Sequence, residues 1–73
     1  MKFALLDTVV LNRDVPEHGL RVGDLGAVVD VPTSNALVIE FVRPGGGTRA
    51  LLTLEARDVR RLENSDVLSV RVG

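Results

Sequence analysis

Apolar residues occur in short runs of five to seven positions, broken by Gly, Pro and clustered polar residues, and no stretch sustains a 3.6-residue period. This punctuation predicts strands rather than helices. Asp7–Leu11 (DTVVL) is the first, with Val9 and Leu11 opposing Thr8 and Val10, and the segment Asn12–Gly23 after it is too long for a tight hairpin turn. Leu25–Val31 (LGAVVDV) is the second. Its alternation sets Leu25, Ala27, Val29 and Val31 on one apolar face, with Val28 opposite. A turn at Pro32–Asn35 leads into strand three, Ala36–Val42, with Leu37, Ile39 and Phe41 inward. Arg43-Pro44 and three consecutive Gly form a hairpin connection, whose reach also makes it a candidate contact loop.

Strand four, Thr48–Leu54, offers Ala50, Leu52 and Leu54 on one face and Arg49, Leu51 and Thr53 on the other. Glu55–Asp58 suits a 3₁₀ turn, Val59–Leu62 a fifth strand, and Glu63–Asp66 a second polar turn. Val67–Val72 alternates again, with Leu68, Val70 and Val72 together. The expected architecture is all-β: a small SH3-like barrel of about five strands over residues 1–62, and a C-terminal extension, 63–73, carrying an extra strand. Seven sandwich strands do not fit this length.

Composition narrows the function. At 73 residues with 45% hydrophobic side chains the chain holds one small core, with no room for a second domain. There is no Cys and a single His, so disulfide frameworks, thiolate zinc sites and Cys nucleophiles are excluded. Nine basic against ten acidic residues give a net charge of -1, which lacks the basic excess of tight nucleic-acid binders. The two aromatics, Phe3 and Phe41, supply few rings for stacking on bases. The N-terminal apolar run Phe3–Leu6 is too short for a signal peptide or a membrane span, so the expected setting is cytoplasmic with no membrane partner.

Several residues invite a chemical reading. Gly19, Gly23 and Gly26 suggest a phosphate loop, but such loops lead into a helix and here a strand follows. Asp14, Glu17 and His18 gather three titratable groups in one loop. Without a nucleophile or a second His they are expected to be neither a catalytic site nor a metal site, and no cofactor is expected. Arg57, Arg60, Arg61 and Arg71 form a potential basic edge, and the competing reading is ordinary surface charge paired with Asp58 and Glu63.

The blocks LLDTVVL, PEHGL, GDLGAVV, ALVIEF, RALLTL and DVRRL, spanning Phe3 to Leu62, resemble a family of small uncharacterised bacterial proteins, a domain of unknown function. The resemblance implies a fold and brings no activity, cofactor or catalytic residue. Leu20–Val31 (LRVGDLGAVVDV) also resembles the Gly-centred element of KOW-type ribosomal and transcription proteins, and the SH3-like chains of some photosynthetic and hydratase complexes.

Several strands are partly apolar on both faces, more than so small a barrel can cover with itself. The expected function is therefore a non-enzymatic protein-interaction module: an antitoxin or immunity-type partner, or a small subunit of a complex, with a homodimer among its expected forms. The alternative is a KOW-like nucleic-acid-associated domain. Candidate partner contacts are Arg13, Asp14, Glu17 and His18 in the long loop, Arg43 beside the triple Gly, and Leu68, Val70 and Val72 in the extension.

Overall fold

A computed structural model describes residues 3–42 and 50–63. Five antiparallel strands curl into a half-barrel: β1 (Thr8–Leu11), β2 (Leu25–Asp30), β3 (Ala36–Phe41), β4 (Ala50–Glu55) and β5 (Val59–Arg61). Two 3₁₀ turns interrupt them, η1 at Pro16–His18 and η2 at Ala56–Asp58. The fold is all-β, as the punctuation predicts. The strand order is β4-β3-β2-β1-β5, so the four sequential neighbours form a meander and β5 returns to the far side of β1. The arm expected at Val67–Val72 lies outside the described residues.

Alternation in β3 and β4 builds the core as expected. Leu37, Ile39 and Phe41 point inward opposite Leu54, Leu52 and Ala50 in an unbroken six-pair register. Val9 and Leu11 of β1 and Val59 of β5 complete the sheet's inner layer, while Val10 is buried as well. Such burial supplies most of the driving force for folding, at roughly 25 cal/mol per Å² of apolar surface.

β2 corrects the sequence reading. Its inward positions are Gly26 and Val28; Leu25, Val29 and Val31 are exposed and Ala27 is half-buried. The reason is steric. Gly26 pairs with Phe41, and a Cβ built on Gly26 would stand 2.9 Å from the Phe41 ring and 2.6 Å from Ile39 Cγ2, so the absent side chain makes room for its neighbours. The register then shifts between Val28 and Asp30, a bulge that leaves Val29 unpaired and on the surface before pairing resumes at Asp30 and Val38.

The long segment after β1 is a packed unit rather than a solvated loop. Val15 and Leu20 exchange backbone hydrogen bonds of 2.9 and 3.1 Å, both side chains are buried in the core, and η1 lies between them. Gly19 closes η1 at φ 69°, a left-handed conformation that costs glycine little.

Candidate functional site

The predicted polar contacts are built from the β1–β2 segment. Arg13 donates through Nε to Asp58 Oδ1 at 2.9 Å and through a terminal guanidinium nitrogen to the Asp14 carbonyl at 3.2 Å. Asp58 is buried, and its other oxygen accepts the Glu55 backbone N–H at 2.9 Å, which caps η2. Burial alone would raise the Asp58 carboxyl, but the hydrogen bonds from Arg13 and Glu55, with the positive charges of Arg13 and Arg57, hold it below the ordinary carboxylate range. Arg13 is thus a strut between the long segment and η2, reinforced by the Asn12 N–H donating to the Asp58 carbonyl at 2.7 Å.

Asp14 is equally engaged in structure: its Oδ1 accepts the Val22 N–H at 2.9 Å. Glu17 and His18 lie exposed on η1. A shallow depression of about 360 Å³ lies beside them, lined by Asp14, Pro16, Gly19, Leu20 and Arg21. Among the described residues no group of three or more His, Cys, Asp or Glu is placed to hold a metal ion. Arg43, Leu68, Val70 and Val72 lie outside the described residues.

The sequence reading passed over a different feature. Residues Ala4–Asp7 form a turn in which the Asp7 N–H donates to the Ala4 carbonyl at 3.1 Å and the Ala4 N–H donates to Asp7 Oδ2 at 2.8 Å. Leu6, its third residue, has φ 72°, where Gly or Asn is the ordinary occupant. Leu6 is 79% exposed and Leu5 60% exposed. Two adjacent leucines are therefore held out to solvent, Leu6 in a backbone conformation that L residues rarely adopt.

The turn is anchored on both sides. The Leu6 N–H donates to the Val28 carbonyl at 2.7 Å and the Val28 N–H to the Asp7 carbonyl at 3.0 Å. Phe3, just before the turn, packs on the core, with the Arg61 guanidinium 5.3 Å from the centre of its ring and Arg61 also 3.6 Å from Asp7 Oδ2. Phe3, Val31, Ser34 and Leu37 line a largely apolar depression of about 180 Å³, and Val29 and Val31, at and just beyond the end of β2, are exposed. Leu5 and Leu6 carried no distinguishing signal in the sequence, because an apolar run before a strand reads as core.

A small all-β half-barrel with a pinned apolar turn is the class of protein that this geometry defines. The chain belongs to the family described as domain of unknown function DUF4926, whose model matches residues 5–61. No curated protein and no solved structure matches the chain. Among the described residues no helix is long and apolar enough to cross a membrane.

Proposed function

We propose that the protein is a non-enzymatic, SH3-like interaction module whose Leu5–Leu6 turn docks into an apolar cleft of a protein partner. The single observation that carries this reading is Leu6: 79% exposed, at positive φ, in a turn anchored by β2. Folding gains little from an exposed leucine and loses about 1 kcal/mol or more by holding it in the left-handed region. Burial of the same side chain in a partner returns roughly 1.5–3 kcal/mol. The strand order, with β5 beside β1 and a 3₁₀ turn before β5, supports the SH3-like reading.

The partner expected is the kind met by an antitoxin, an immunity protein or a small subunit of a complex, and the product of the neighbouring gene is the first to try. Co-expression with that product, followed by co-purification, tests the reading. Retention by the wild-type chain and loss with Leu6→Asp supports it. A complex that survives Leu5→Asp/Leu6→Asp places the contact elsewhere, and neutralisation of a toxic partner would give the antitoxin form of the role.

A further inference from the structure

Strand β4 ends the sheet: among the described residues it is hydrogen-bonded to β3 on one side and to no strand on the other. The outward groups can be assigned. The Ala56 N–H donates to the Asn35 carbonyl at 2.8 Å, and antiparallel pairs alternate between bonded and non-bonded, so Leu54, Leu52 and Ala50 bond to β3. The backbone groups of Leu51, Thr53 and Glu55 face the free edge. Of these, the Glu55 N–H is taken by Asp58 Oδ2.

This edge lacks the usual protections. Ala50–Glu55 contains no Pro, Lys or bulge, its one charge sits at the end, and the Glu55 carboxylate is paired with Arg57 at 2.9 Å. The core is also least covered here. Ala50, Leu52 and Leu54 retain 7–9% exposure, against 4% or less for every other buried apolar residue.

We propose that β4 pairs antiparallel with β4 of a second copy about a two-fold axis through Leu52. Leu51 of each chain then exchanges both backbone hydrogen bonds with Thr53 of the other, giving four in all, and the two Leu52 residues form the close, non-bonded pair between them. Their side chains point to the inner face and cover the thin rim of each core. A second copy fits better than an unrelated strand because this edge is self-complementary: one register bonds the outward groups of both Leu51 and Thr53 and covers both thin rims. The inference goes beyond the proposed docking role and uses a different element, so either can fail without the other.

The test is the mass of the full chain by sedimentation equilibrium, up to about 1 mM, with two kinds of variant. Thr53→Pro removes an edge N–H while leaving the β3 ladder intact, and it is expected to halve the mass while a cooperative melt persists. Register is read by mixing Leu51→Cys with Thr53→Cys in a chain that has no natural Cys. The mixed disulfide is expected to form in excess over both self-disulfides, and this readout decides the matter if Thr53→Pro fails to fold. A wild-type monomer at every concentration, a dimer that survives Thr53→Pro, or no excess of the mixed disulfide overturns the proposal. So does a dimer lost on truncation after Glu63, which would give the contact to the C-terminal segment instead.

Discussion

Gly26 lies across the β2–β3 pair from Phe41, and the Phe41 ring fills the space where a side chain on Gly26 would be. A methyl group there must displace Phe41 or Ile39, both fully buried. Gly26→Ala is expected to cost about 1–3 kcal/mol, the usual range for overpacking, as measured by urea unfolding. Combining it with Phe41→Leu should recover part of the loss, because neighbours sharing one volume are not additive. At Gly23 nothing lies within 4 Å, so Gly23→Ala should carry the backbone cost of its φ of 97° and no steric clash.

Asp58 makes stability depend on acid. Its folded pKa lies below the ordinary value, so its contribution is full above about pH 4 and is lost as pH falls through the folded pKa. Asp58→Asn is expected to flatten this limb of a melting-temperature profile. At neutral pH it should cost about 1 kcal/mol, because the amide loses an acceptor that Arg13 or the Glu55 N–H needs. Arg13→Gln should move the acid limb to higher pH by withdrawing the Arg13 hydrogen bond and, with it, the charge, which together help hold the carboxyl down.

Leu6 separates stability from binding. Leu6→Gly relieves the positive φ but frees the unfolded chain, and the two effects are expected to leave stability within about 0.5 kcal/mol. Partner affinity in the proposed docking should fall roughly 10–100-fold for the lost apolar burial. Leu6→Val, with a β-branched side chain in the left-handed region, should lower stability instead. Thermal melts and titration with the partner give both numbers.

Nucleic-acid binding is expected to stay weaker than about 1 μM at physiological salt. Phe41 is fully buried and Phe3 packs on the core, so neither ring is presented as a stacking platform. Arg57 is paired with Glu55, and Arg61 with Asp7. Fluorescence anisotropy with single- and double-stranded oligonucleotides over a salt series checks this, and tight binding with a steep salt slope would favour the KOW-like alternative.

Strands β1, β3, β4 and β5 were legible because Gly, Pro and polar turns mark their ends, and alternation sets the faces of β3 and β4, whereas in β1 Val9, Val10 and Leu11 are all buried. The face of β2 was not. Both parities of Leu25–Val31 are largely apolar, and the choice turned on the long-range demand of the Phe41 ring for a small partner. Local periodicity is blind to a partner fifteen residues away. Asp14, Glu17 and His18 were correctly placed in one segment, but Asp14 proved to be a backbone brace and Arg13 a strut to a carboxylate 45 residues on. The Leu5–Leu6 turn could not be read at all, because left-handed backbone at a leucine is imposed by its hydrogen bonds to β2 and Asp7 rather than by the residue itself.

The pairing of β1 with β5 also bears on how the molecule is made. As the chain leaves the ribosome, β1 through β4 can add one after another, each beside the strand just before it. The second side of β1 must wait for Val59–Arg61, the last-synthesised of the described strands. Until then Val9, Val10 and Leu11 border a bare strand edge, the kind of surface that invites aggregation and draws chaperones or proteases. Three residues synthesised after the other described strands therefore act as a seal: a product cut short before them would keep nearly all of the described hairpins and still present itself to the cell as unfinished.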